Sequence, residues 1–185
     1  MLQLIGDTDP LVAHLAALTL HRGLSRLGLE VRTLALATGH RGGLEEDVPA
    51  MAPNRRSLAA RSAVRQESRW ADVVVVHAPR ALTIATAGRF AAAGRRTADG
   101  PPVVVAFWEP PVDRRWPGWS WCSPAHRAVT GATMVVAPSD EVARSVRAVH
   151  GPDLTIDVVP GDLGDQGRPR LDAAAWARIL SVLAA

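Results

Sequence analysis

Three observations predict an α/β domain with a mostly parallel sheet of about seven strands and helices on both faces. Short apolar runs recur along the chain, and Val73–Val76 and Val103–Val105 are wholly β-branched, as in strands covered on both sides. Helical stretches with one apolar face lie between those runs. Capping residues and glycines mark the junctions, so strand, helix and strand follow one another as units with a right-handed crossover. Alternation of this kind builds a single doubly wound, Rossmann-like sheet.

The first strand is Leu2–Ile5, a short apolar run ending at Gly6. Asp9 and Pro10 supply an N-cap and a first helical residue; Leu11, Leu15 and Leu18 share one face, and Gly28 stops the helix after Leu27. Glu30–Ala37 is the second strand. Beyond the Gly-rich polar loop His40–Asp47, a short third strand is expected over Val48–Ala52 and a helix over Arg55–Trp70. Ala71–His77 reads as a strand, Arg80–Arg95 as an Ala-rich helix closed by Gly94, and Pro102–Phe107 as the next buried strand.

A loop of Pro and Trp, Trp108–Ser123, leads to a short helix near Pro124–Val129. Thr133–Asp162 then carries a buried strand, a helix capped by Ser139, a further strand and a tight turn at Pro160–Asp162. Asp165–Pro169 is the candidate hinge. In the last helix Trp176, Ile179, Leu180 and Leu183 fall at i, i+3, i+4 and i+7, with Asp172 as N-cap, so this helix is expected to pack back on the sheet. The domain is placed over 1–164, and the hinge with its returning helix over 165–185.

Composition narrows the function. A chain of 185 residues with 48% hydrophobic content can bury a real core and is not disordered. All 21 basic residues are arginine, which excludes a phosphate-binding Gly-x-x-x-x-Gly-Lys loop. With a net charge of only +3, nucleic acid is not an expected partner. The single cysteine, Cys122, fits a reducing compartment, and neither a leader peptide nor a membrane-spanning run is visible. A cytoplasmic protein is expected, with a place at the inner face of the membrane left open.

Several motifs point further. Residues 24–31, Leu-Ser-Arg-Leu-Gly-Leu-Glu-Val, close a helix and enter a strand; residues 71–77 read Ala-Asp-Val-Val-Val-Val-His; residues 101–108 read Pro-Pro-Val-Val-Val-Ala-Phe-Trp. Residues 139–143, Ser-Asp-Glu-Val-Ala, start a helix, and Val158, Val159 and Pro160 end a strand. Together they resemble the N-terminal, acceptor-side domain of glycosyltransferase family 4 enzymes of the GT-B fold. The resemblance implies a sugar-transfer context, in which a second domain binds the nucleotide sugar. Here the chain stops at Ala185, so that donor domain is expected to be lacking.

The departures from the family pattern shape the functional expectation. The family's opening Gly-rich loop is replaced by Gly6, Asp7, Thr8, Asp9 and Pro10, with carboxylates where an anion is otherwise welcomed. At the position of the family's active-site histidine stands Trp108, which exchanges no proton near neutral pH. The family's Pro-Asn-Gly becomes Pro160, Gly161 and Asp162. The resemblance therefore implies an acceptor-binding or accessory subunit without stand-alone catalysis. Two alternatives remain: the acceptor half of a split enzyme completed by a donor-domain chain, and a non-enzymatic module that meets anionic membrane or nucleic acid through Arg and Trp.

Ligands of open α/β sheets bind at the carboxyl ends of the strands. The residues placed there are Asp7, Thr8, Thr38, His77, Trp108, Glu109, Ser139 and Asp162. His77 ends a buried strand and is either a pocket histidine or a core-edge imidazole bonded to a neighbouring carbonyl. The loop around Arg114, Arg115, Trp116, Trp119 and Trp121 offers indole faces and guanidinium groups. Sugar rings, interfacial lipid and a protein partner all suit it, and the partner surface is favoured. Candidate partners are a glycosyltransferase or donor-domain chain, a second copy of this chain, and a peripheral membrane surface.

The Arg61, Arg65 and Arg69 stripe reads as a solvated helix face. No cofactor and no metal are expected: the six histidines contain no i, i+4 pair, and Cys122 has no cysteine partner. Gly161, Gly164 and Gly167 lack the spacing of a dinucleotide fingerprint.

Overall fold

The computed structural model describes residues 1–6, 12–37, 48–50, 58–77, 101–111, 124–163 and 169–185. In chain order these form β1 (Leu2–Ile5), α1 (Val12–Arg26), β2 (Arg32–Ala35), α2 (Leu58–Ser68), β3 (Val74–His77), β4 (Val103–Ala106) and α3 (Pro124–Thr130). There follow β5 (Met134–Ala137), α4 (Asp140–His150), β6 (Asp157–Val158), β7 (Gly161–Leu163), β8 (Pro169–Leu171) and α5 (Ala173–Ala184). Six strands make one parallel sheet in the order β2-β1-β3-β4-β5-β6. The order reverses between β1 and β3, which makes that junction the topological switch point of a doubly wound sheet.

The β-branched runs explain the sheet. All four residues of β1, β3 and β4 are buried, because successive side chains alternate between two covered faces. On one face Leu2, Leu4, Val74, Val76, Val103 and Val105 pack with Val64 of α2, Val129 of α3 and Val142 and Val146 of α4. On the other, Val75, Val104, Ala106 and Val136 pack with Ala16, Leu20 and Leu24 of α1 and with Trp176 and Leu180 of α5. Each of these valine and leucine side chains withdrawn fully from water contributes about 1.5–3 kcal/mol.

Two close approaches set how α1 lies. Its buried stripe is rich in alanine (Ala13, Ala16, Ala17), which brings the helix near the sheet; Leu15, expected on that face, is only half-buried. Gly23 meets the start of α5 so closely that a Cβ there would lie 2.6 Å from the Cβ of Ala173. Gly28 ends the α1 segment at φ +85°, the left-handed conformation that glycine adopts at least cost. Asp172 caps α5, accepting from the amides of Ala174 at 2.9 Å and Ala175 at 3.0 Å. The C-terminal helix thus returns to the sheet as its apolar spacing predicts.

Three expectations change. Val48–Ala52 contributes, among the described residues, a single parallel bridge from Ala50 to Ala35 rather than a strand. The tight turn expected at Pro160–Asp162 is instead extended: Gly161–Leu163 pairs antiparallel with Pro169–Leu171, and Gly161 lies close against Leu171. The main sheet has six strands, and the remaining two form that hairpin. The expected helix Arg80–Arg95, Asp7, Thr8, Thr38 and the loop with Arg114, Arg115, Trp116, Trp119 and Trp121 lie outside the described residues.

Candidate functional site at the switch point

β3 delivers His77 to the carboxyl edge beside the switch point, and β4 delivers Trp108 two residues beyond its end. Both side chains turn inward: His77 is 0% and Trp108 6% exposed. The two rings stack at 5.7 Å between centroids and 15° between planes. The Trp108 Nε1–H donates to His77 Nδ1 at 2.8 Å. Because an indole N–H can only donate, Nδ1 must be the acceptor and the imidazole proton must sit on Nε2. That Nε2–H donates to Gln3 Oε1 at 2.7 Å.

Gln3 extends the chain of bonds across the core. Its amide donates to the Ala17 carbonyl of α1 and to Thr33 Oγ1 of β2, both at 3.2 Å. Thr33 Oγ1 in turn lies 3.0 Å from His21 Nδ1. Trp108, His77, Gln3, Thr33 and His21 therefore tie β4, β3, β1, β2 and α1 together through buried polar groups that all have partners. Such networks, when complete, fix one arrangement of a core. On its far face Trp108 meets Trp176 of α5, with ring centroids 5.8 Å apart.

The electrostatics follow from burial. Removal from water pushes the His77 pKa down to about 3, and the neighbouring His14 adds to the shift by charge repulsion. His77 is thus neutral at physiological pH, with both ring nitrogens engaged and no path to solvent. Proton transfer to or from a reacting group requires that a side chain reach that group. In this arrangement His77 positions strands and Trp108; it does not present an exchangeable imidazole.

The other predicted residues spread along the same edge. Glu109 follows Trp108 and is half-buried. Ser139 lies beyond the end of β5 and caps α4, accepting from the Val142 amide at 3.3 Å. The Asp162 backbone belongs to β7, opposite Arg170. The structure brings His77 and Trp108 into direct contact, whereas Ser139 is committed to its helix. Among the described residues no three His, Cys, Asp or Glu side chains converge to hold a metal ion. No described helix is long and apolar enough to cross a membrane. Arg65 and Arg69 of the basic stripe are exposed, and Arg61 is half-buried.

Sequence reasoning missed Gln3 and the role of Trp176. The signal for Gln3 was its place as the one polar residue in an otherwise apolar run, which demands a buried partner. Trp176 was legible as part of an apolar face, but not as the ring against Trp108.

This architecture, a parallel sheet whose strand order reverses between β1 and β3, is that of a doubly wound, Rossmann-like α/β domain. The family model of Glycosyltransferase Family 4 matches residues 15–161, and the chain belongs to that family. No curated protein matches the chain.

Proposed function

We propose that this chain is an acceptor-side domain that does not transfer sugar by itself and acts as an acceptor-binding or accessory subunit of a glycosyltransferase. The observation that carries the reading is the locked pair at the switch point. His77 is fully buried and neutral, and its Nδ1 is occupied by the indole of Trp108, the residue that replaces the family's histidine. A site so filled favours holding and positioning over proton transfer. The family match supplies the sugar-transfer context.

Affinity capture of the tagged chain from its native host, followed by a transfer assay on the recovered complex, tests the reading. The expected result is a glycosyltransferase partner whose transfer rate rises when the chain is added and whose kcat at saturating acceptor is unchanged by Asp7→Ala, His77→Ala or Glu109→Ala variants that remain folded. Transfer that disappears with those substitutions indicates instead a split enzyme in which this chain contributes chemistry. Transfer by the purified chain alone overturns the proposal.

A further inference from the structure

A second concave region lies at the opposite edge of the sheet, where β5 and β6 begin and α3 and α4 end. Two adjoining cavities there share His126, Gly151 and Pro152 in their walls. The first, of about 460 Å³, has Arg144 and Arg147 as its charged lining groups. Among the described residues each guanidinium bonds through Nε, Arg144 to the Asp140 carbonyl at 3.4 Å and Arg147 to the Leu154 carbonyl at 3.1 Å. Among the described residues neither pairs with a carboxylate. Among the described residues the terminal nitrogens of both forks are left as donors, and the Arg147 fork is the better oriented, through its part-buried Nε bond.

The second cavity, of about 420 Å³, has a different chemistry. Asp153, Asp157 and Thr155 line it, and all three are exposed. The carboxylates accept hydrogen bonds from a polyol and the hydroxyl both accepts and donates, whereas the carboxylates repel a phosphate. The two halves together therefore read a ligand by polarity: an anion at the arginine end, hydroxyl groups at the aspartate end. Each cavity falls within the size range of small-molecule sites. The C-terminal end of α4 beside Gly151 disfavours an anion by a factor of about two to five. A charge-assisted bond from a guanidinium outweighs that, with a gain of about tenfold or more.

We propose that this α3–α4 cleft binds a small phosphate monoester that carries hydroxyl groups, a sugar phosphate by chemical class. Arg144 and Arg147 hold the phosphate, and Asp153, Asp157 and Thr155 hold the hydroxyls. The site is far from the carboxyl edge and does not rest on the acceptor-domain reading.

Amide-resolved NMR titration of the full chain with glucose 6-phosphate, inorganic phosphate and glucose tests the proposal. Saturable shifts at Gly151, Arg147 and Asp153 are expected with glucose 6-phosphate, with an affinity about tenfold higher than for inorganic phosphate and no saturation with glucose. The Arg144→Gln/Arg147→Gln double variant is expected to abolish these shifts. Asp153→Asn should weaken the sugar phosphate and, by removing a nearby negative charge, leave inorganic phosphate unweakened or bound more tightly. Arg144→Gln alone, at an exposed position, serves if the double variant does not fold. Equal binding of phosphate and sugar phosphate, binding that survives the arginine substitutions, or no saturation by about 20 mM overturns the proposal.

Discussion

Acid is expected to unfold this domain through His77. In the unfolded chain an imidazole takes up its proton near pH 6.5. In the folded chain burial and His14 hold His77 down to about 3. Between these values the unfolded state binds more protons than the folded one, so stability rises with pH across the window. It is complete above pH 6.5 and is lost as pH falls towards 3. The loss approaches about 1.4 kcal/mol for each pH unit below the unfolded value, hence just under about 3 kcal/mol between pH 7.5 and 4.5 from this residue alone. His150, lowered to about 4 by burial and by His126, acts in the same direction, though more weakly because its shift is smaller. A loss of that size is a large part of the 5–15 kcal/mol typical of a domain, about a fifth or more.

Urea unfolding followed by circular dichroism from pH 7.5 to 4.5 measures the slope, and the His77 ring resonance identifies its source. Trp108→Phe, which removes the donor to Nδ1, should raise the His77 pKa and flatten the dependence. A stability that does not change between pH 7 and 5, or a His77 resonance titrating near 6.5, would refute the reasoning.

Other substitutions probe the same core. Gln3→Leu strands the His77 Nε2–H without its acceptor and should lower stability by about 1–3 kcal/mol in urea; an unchanged midpoint contradicts the network. Gly23→Val places new atoms against Ala173 and should lift α5 from α1, at a cost of about 1–3 kcal/mol. Hydrogen exchange should then quicken in α5 but not in β3, and protection that stays uniform speaks against this packing. Asp172→Ala and Ser139→Ala each remove an N-cap and should lower the melting temperature by the equivalent of about 1 kcal/mol; loss of neither effect is compatible with the observed caps.

The fold was legible because the physics that makes it is local. Val74–His77 and Val103–Ala106 are buried on both faces, and their β-branched composition says so directly. Gly28 and Asp172 announce helix ends by conformational freedom and by a short acceptor side chain. The hairpin of β7 and β8 was not legible, since strands of three residues carry too little pattern to distinguish pairing from a turn.

The site was legible only in part. His77 and Trp108 could be placed at strand ends, but their mutual hydrogen bond joins residues 31 apart in sequence. The bond from His77 to Gln3 spans 74 residues and depends on β1 lying beside β3. Neither spacing nor composition carries that information. The cleft between α3 and α4 is equally non-local: it joins side chains from a helix end, a loop and the start of a strand, none of which forms a motif.

The central proposal is that this domain serves the acceptor side and does not transfer sugar by itself. Calorimetric titration of the purified chain with uridine and guanosine diphosphate sugars, followed by assay for transfer or hydrolysis, addresses it most directly. No tight saturable nucleotide-sugar binding and no turnover by the chain alone are expected. Tight saturable binding accompanied by sugar transfer from the isolated chain would contradict it.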